Sequence, residues 1–162
     1  MVDKGKQLCA ICGTNEATTV DHVPPKGIFP RPRPSNLITV PAWLACNNSA
    51  SDFDEAFRLY LALHVGDLDD PVASAYFKEA LRTYRHNQRL QRDILATAKP
   101  VTFATPAGIE YGKGMKILWD SNAHDATIER MVRGLYYHHF GEILDAEAAV
   151  FVNIVVASTY AA

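Results

Sequence analysis

Two cysteines separated by two residues, Cys9 and Cys12, lie in a turn-rich stretch early in the chain and are followed at once by Gly13. A tight turn of this kind lets two thiolates face one metal ion, so the segment predicts a metal-binding knuckle. A third cysteine, Cys46, makes the count odd, and the chain opens without the charged and apolar segments of an export signal. Both observations argue against a disulfide framework and direct attention to metal.

The composition is that of a soluble globular protein. The chain has 162 residues, of which 48% are hydrophobic and 21% charged, and this suffices to bury a core. The longest apolar stretch, 148–162, contains Asn153 and is shorter than the roughly 20 residues that a membrane-spanning helix needs. A cytoplasmic protein without a membrane partner is therefore expected. The formal net charge of -2 gives no general argument for nucleic-acid binding.

Periodicity and turn formers predict an α+β fold. The N-terminal third is expected to run strand, loop, strand, helix, and the rest to form helices and a small antiparallel β element. The expected strands are 17–20, 36–40 (stopped by Pro41), one or two within 101–119 joined through Gly112 and Gly114, and 150–156. Three helices are expected. The first is capped by Ser51 or Asp52 and ends at Gly66, the second runs from Pro71 to about Ala98, and the third runs from Asp125 to His139 before Gly141. The expected division is a module at 1–66 and an extension at 67–162.

Positive charge is concentrated on one predicted helix. Six basic residues against two acidic ones fall between Ala73 and Lys99, and five of the six form a stripe: Lys78, Arg82, Arg85, Arg89 and Arg92. A solvated helix face and a phosphate-binding face both explain this stripe. The loop residues Lys26, Arg31 and Arg33 are better candidates for nucleic-acid contacts, because they lie next to the chemical motif described below.

Four polar residues in the N-terminal third have the chemistry that phosphodiester hydrolysis requires, namely a base, a cation and a group that orients the base. Asp21 is a hard oxygen ligand suited to Mg²⁺. His22 can act as the general base, a role that histidine commonly takes in hydrolases. Asn36 can fix the loop near His22, and Asn47, at the expected start of a helix, can offer its amide oxygen to the same metal.

These residues occur in a pattern that resembles the HNH endonuclease superfamily. The pattern comprises Cys9-x-x-Cys12, Asp21-His22-Val23-Pro24-Pro25-Lys26, Asn36-Leu37-Ile38-Thr39-Val40-Pro41 and Cys46-Asn47-Asn48. The resemblance covers roughly the first 60 residues. It implies a ββα-metal finger in which Asp21 and Asn47 bind one divalent ion, Mg²⁺ or Mn²⁺. It also implies that His22 activates water, that Asn36 orients His22, and that the substrate is nucleic acid, with DNA expected.

The sequence departs from the family pattern at two places. Asn47 stands where many members have His. Members with a cysteine knuckle usually carry a second cysteine pair, but Trp43 replaces the partner of Cys46. A structural Zn²⁺ normally has four ligands. Either another residue or water completes a site with Cys9, Cys12 and Cys46, or zinc is lost and Trp43 packs in the core.

Two other functions remain open at this point. The finger can be a catalytically weak or inactive module that only binds DNA or a protein partner. Alternatively, Cys9 and Cys12 can form a redox pair, although no βαβ pattern surrounds them and they do not begin a long helix. The sequence does not report substrate sequence, DNA against RNA, oligomeric state or biological role.

Overall fold

A computed structural model describes residues 6–64, 69–118 and 120–152. In these ranges the chain forms α-helices and two antiparallel two-stranded sheets, which confirms the α+β class. The strands are β1 (Thr19–His22), β2 (Thr39–Ala42), β3 (Lys99–Ala104) and β4 (Glu110–Lys116). The helices are α1 (Leu44–Ser49), α2 (Ser51–His64), α3 (Pro71–His86), α4 (Gln88–Thr97) and α5 (Ser121–Phe140), with a 3-10 turn at Lys26–Ile28.

The chain divides into two compact units. The first unit contains the described residues of Met1–Lys26, Ser35–Ser51 and Asp125–Ala162, and the second contains those of Gly27–Pro34 and Asp52–His124. The predicted boundary at residue 66 lies outside the described residues, so that division stays a prediction. Within the described ranges, none of the helices combines the length and apolarity that crossing a bilayer requires.

In the first unit β1 pairs with β2, and the register places Asp21 opposite Val40 and His22 opposite Thr39. Both strands start two residues or more later than the sequence predicted. Pro41 does not stop β2 but lies inside it, where its carbonyl accepts a hydrogen bond from the backbone of Ala10 at 2.8 Å. A two-stranded sheet has two open edges, and a strand edge tolerates the missing N–H of proline.

The core of the first unit packs this sheet against α5. Ala10, Val23 and Val40 are buried, and Leu135 on α5 packs against them. Gly134 allows the close approach, because a Cβ built there would lie 2.5 Å from Cγ1 of Val23.

Two helices of the second unit replace the single helix expected between residues 71 and 98. Asp70 caps α3 by accepting from Ala73 N at 2.6 Å, and Pro71 is its first residue, as predicted. The helix ends at Asn87, whose backbone is extended and whose side chain accepts from Leu90 N at 3.0 Å. Asn87 thus ends α3 and caps α4. The core of this unit contains Leu59 and Tyr60 of α2, Leu90 and Ile94 of α4, and Ala56 and Ala123.

The predicted junction at Gly112 and Gly114 is wrong. Both glycines lie inside β4, and the turn is formed by residues 105–109, closed by a 2.9 Å hydrogen bond from Thr105 N to Ile109 O. Gly108 occupies the left-handed region at φ +82°.

At its C-terminal end α5 behaves as predicted, since Gly141 has φ +70° and donates to Tyr137 O at 2.9 Å. The expected end of α2 at Gly66 lies outside the described residues. Of the expected strand at 150–156, residues 150–152 form no strand, and the remainder also lies outside them.

Candidate metal centre

The segment around the first two cysteines is a short hairpin. Cys9 N donates to Asn15 O at 2.8 Å, and an isolated β-bridge joins Leu8 to Glu16. Gly13 closes the turn with φ +69° and donates its backbone N–H to Cys9 O at 2.9 Å. Only glycine adopts this left-handed conformation without steric cost. The local sequence therefore folds the chain back after Cys12, as expected of a metal knuckle.

Cys46 joins the knuckle from α1. The three sulfur atoms of Cys9, Cys12 and Cys46 all lie within 4.8 Å of one another, with Cys9 fully buried. Three thiols this close can bind a metal such as zinc. In the ranges 6–64, 69–118 and 120–152, no fourth His, Cys, Asp or Glu belongs to the group. Trp43 is 37% exposed at the N-cap of α1, so the expectation that it packs in the core is wrong, and whether zinc is bound stays a prediction.

The three thiols differ in their affinity for protons. Burial raises the pKa of Cys12, but hydrogen bonds from the side chain and backbone of Thr14 and from Asn15 outweigh it and lower the pKa to about 6. Burial, a hydrogen bond with Cys12 and the negative charge that the neighbouring sulfurs carry as thiolates raise the pKa of Cys46 to about 12. Near neutral pH the cluster thus contains a thiolate at Cys12 and a proton on Cys46, which a metal would displace.

Asp21 is buried in β1 and faces an arginine of α5. Its Oδ1 accepts from the backbone of His22 at 2.8 Å, and its Oδ2 lies 3.6 Å from Nη1 of Arg130, which is also buried. Burial raises the pKa of Asp21, while the Arg130 guanidinium and the His22 backbone lower it. A contact of 3.6 Å is longer than a hydrogen bond. Oδ2 accepts no hydrogen bond from the described part of the chain.

The other predicted residues of the chemical motif lie in the first unit as well. Successive strand residues point to opposite faces, so the half-buried His22 lies on the face of β1 opposite to Asp21. Asn36 is exposed in the turn before β2 and not in a strand. Asn47 is the fourth residue of α1, not its first, and its Nδ2 donates to Val20 O at 3.1 Å.

That hydrogen bond attaches α1 to β1, and a second one, from Leu44 N to Oγ1 of Thr18 at 3.2 Å, attaches α1 to the residue just before β1. The second bond gives one free N–H group at the N-terminus of α1 an acceptor. Trp43, the N-cap residue, supplies no side-chain hydrogen bond there.

The predicted nucleic-acid residues are distributed over both units. Lys26 is exposed at the start of the 3-10 turn in the first unit. Arg31 and Arg33 belong to the second unit, where both pair with Glu79 of α3 at 3.4 and 3.8 Å. Their charge is therefore partly compensated within the protein.

Sequence reasoning missed three residues of α5 in the first unit. Arg130 pairs with Asp21, Gly134 leaves room for the side chain of Val23, and Arg133 forms hydrogen bonds with the turn after the helix. Arg133 is buried and donates to the carbonyls of Asp145 and Ala148 at 3.0 and 3.1 Å. One available signal was that these positions share a helix face at a spacing of three to four residues.

Comparisons of the chain with protein-family models, with curated proteins and with solved structures found no match.

Proposed function

We propose that this chain is a metal-dependent endonuclease of the HNH type that hydrolyses phosphodiester bonds of nucleic acid, with DNA as the expected substrate. In this proposal β1, β2 and α1 form the ββα-metal finger. The ion is Mg²⁺ or Mn²⁺, distinct from a metal at the three cysteines.

One observation carries the proposal: Oδ2 of Asp21 is buried without a hydrogen-bond donor from the described residues, immediately before a histidine. A buried carboxylate oxygen left in this state is costly, and coordination of a cation would offset that cost. A carboxylate offers about four acceptor positions. Asp21 can therefore bind a cation in addition to Arg130, and its hard oxygen suits Mg²⁺ or Mn²⁺.

The remaining roles are proposed from residue type and from place in the chain. Asn47 is held beside β1 by its bond to Val20, one residue before Asp21, and its amide oxygen is the proposed second ligand. A divalent cation there supplies charge stabilisation for the phosphate and the departing oxygen. His22 takes the proton from the attacking water. Asn36, which lies three residues before the strand partner of His22, is the proposed orienting residue.

The direct test is cleavage of supercoiled plasmid with Mg²⁺, with Mn²⁺ and with EDTA. The variant His22→Ala should cut about 10²–10⁴-fold more slowly than the parent, the usual contribution of a general base. His139→Ala, which alters an exposed histidine of α5, is the matched control and should cut at the parental rate. A His22→Ala protein that is folded and as active as the parent would exclude the assignment.

A second function is favoured by the contact between Arg130 and Asp21. A guanidinium 3.6 Å from the carboxylate opposes binding of another cation there, and the three thiols alone can support a structural metal. The chain would then be a non-catalytic zinc module that binds DNA or a protein partner. Plasmid that stays intact in Mg²⁺ and Mn²⁺, at protein concentrations that retard it in a gel, would favour this alternative.

A further inference from the structure

The hairpin formed by β3 and β4 is exposed on both faces. Of its strand residues only Val101, Gly112 and Gly114 are even partly covered. A two-stranded hairpin is at best marginally stable by itself in water. Its exposed apolar side chains include Phe103, Ile109, Tyr111 and Met115. The exposure of both faces therefore points to a partner.

Two aromatic rings of the hairpin lie close together and nearly parallel. Phe103 lies across Gly112 and Gly114, and a Cβ at Gly114 would come within 2.7 Å of its ring. Tyr111 is the extra residue of a β-bulge, because Phe103 pairs with Gly112 and Ala104 with Glu110. Regular alternation would place Tyr111 on the face opposite to Gly112, but a bulge redirects a side chain. The two rings stack with centroids 6.1 Å apart and an interplanar angle of 22°.

The hairpin is also positively charged. It carries Lys99, Lys113 and Lys116 against one acidic residue, Glu110, in a chain whose net charge is -2. None of the three lysines forms an ion pair with a carboxylate in the part of the chain that the structure describes. Lys99 and Lys116 stand directly opposite each other in the ladder. Like charges at such positions destabilise a hairpin, and an anionic partner would relieve that repulsion.

We propose that this hairpin binds an unpaired strand of nucleic acid, with bases stacked on Phe103 and Tyr111 and phosphates near the lysines. Exposed aromatic rings beside lysines are the combination that single-stranded nucleic acid requires, since every base has a π-face and every linkage carries a charge. A second copy of the chain is a less suitable partner for this hairpin than nucleic acid. A symmetric contact between two such hairpins would bring the lysines of both copies together.

This inference goes beyond the proposed function, because binding of a strand requires neither Asp21 nor cleavage. It is tested with the full chain in EDTA, which separates binding from hydrolysis. The probe is a fluorescein-labelled oligothymidine of about 20 nucleotides, a length that spans one or more binding sites. Its anisotropy is followed from about 50 to 200 mM salt, beside a duplex of equal length. If the chain binds the oligonucleotide but does not cleave plasmid, only the proposed nuclease activity is refuted. If it cleaves plasmid but does not bind the oligonucleotide, only the proposed binding by the hairpin is refuted.

The variants separate stacking from charge. Tyr111→Ser should weaken binding by about 5- to 100-fold, the effect of losing one stacked base, and Tyr111→Phe should restore it. Lys99→Gln combined with Lys116→Gln should reduce the slope of log affinity against log salt by roughly 1.4, the value expected for two phosphate contacts on a single strand. The matched control replaces two exposed basic residues of α3, Lys78→Gln with Arg82→Gln, and should change binding less. Circular dichroism and thermal melting verify that each variant is folded.

Three outcomes would overturn the inference. The first is unchanged affinity in a folded Tyr111→Ser protein. The second is an equal loss in the α3 control, which would make the effect one of overall charge or of the basic stripe on α3. The third is equal binding of duplex and single strand. If light scattering shows a dimer that Tyr111→Ser dissociates while oligonucleotide binding is unchanged, the partner is a second copy.

Discussion

Oδ2 of Asp21 lies 3.6 Å from Nη1 of Arg130, and both side chains are less than one-tenth exposed. The pair joins β1 to α5 inside the first unit. Its carboxylate belongs to the motif proposed to hydrolyse nucleic acid, whereas its guanidinium belongs to a helix for which the sequence suggested no role. The contact therefore links the stability of the fold to the protonation of Asp21 and to the metal binding proposed for it.

Removal of Arg130 alone should destabilise the protein strongly. Arg130→Met leaves the carboxylate of Asp21 buried without its counter-charge, and such changes cost about 3–5 kcal/mol. The double variant Asp21→Asn with Arg130→Met removes both charges and should recover much of that loss. Urea unfolding followed by circular dichroism gives the free energies. If the double variant is as unstable as Arg130→Met alone, the uncompensated carboxylate of Asp21 is not the source of the loss.

Gly134→Ala tests the close packing of α5 on Val23. In an exposed helix interior this change stabilises by roughly 1 kcal/mol, because alanine is the better helix former. Here the new methyl group would meet Cγ1 of Val23 at 2.5 Å, so we expect a loss of about 1–3 kcal/mol from overpacking. The sign of the change in unfolding free energy therefore distinguishes the two effects.

The control for this prediction is a double variant. Val23→Ala removes the two methyl groups nearest to residue 134, so Gly134→Ala should cost less in that background than in the parent. Additive effects of the two substitutions would contradict the steric explanation.

Arg133→Lys should loosen the turn that follows α5. The planar guanidinium donates to Glu129 and to the carbonyls of Asp145 and Ala148, and a single ammonium cannot span these acceptors. We expect a loss of about 1–3 kcal/mol, together with faster amide hydrogen exchange between residues 145 and 148. Arg85→Lys, an exposed change on α3, is the control and should alter neither quantity. Unchanged exchange in Arg133→Lys would show that other contacts hold the turn.

The sequence predicted those elements that local chemistry determines. The start of α2 at Ser51, the proline-initiated α3 and the glycine after α5 each depend on a signal within a few residues. The break at Asn87 was missed because hydrophobic periodicity continues across it, and an asparagine that ends one helix and caps the next has no distinctive pattern. The bounds of the six-residue helix α1 were missed because its cap is supplied by Thr18, which lies just before β1 and far from α1 in the sequence.

The candidate site was predictable in residue type but not in its tertiary contacts. A knuckle with Gly13 and a third cysteine indicated a metal cluster, and the three sulfurs do converge. Nothing near Asp21 in the sequence indicates Arg130, because their contact depends on how α5 packs on β1. The same holds for Arg31 and Arg33, whose proximity to the motif in sequence did not reveal Glu79 as their partner.

The three-cysteine cluster should bind zinc with an affinity that rises with pH. A metal requires thiolates, but the pKa of Cys46 is raised to about 12, so this thiol keeps its proton throughout the neutral range in the metal-free protein. Cys12, with a pKa lowered to about 6, is already ionised above that pH. Because binding displaces the Cys46 proton, the zinc affinity should rise about tenfold for each unit of increasing pH between pH 7 and 9.

Competition with a chromophoric chelator at several pH values measures this dependence, and calorimetry in buffers of different ionisation enthalpy measures the protons released. Cys46→Ser removes the proton-bearing thiol and should lower zinc occupancy by elemental analysis, whereas Ala45→Ser, an exposed change on the same helix, should not. Asn15→Ala removes a donor to Cys12 Sγ at 3.7 Å and should raise the pKa of Cys12, which steepens the pH dependence at the acidic end. A zinc affinity independent of pH from 7 to 9 would show that Cys46 is ionised before the metal arrives, or that it is not a ligand.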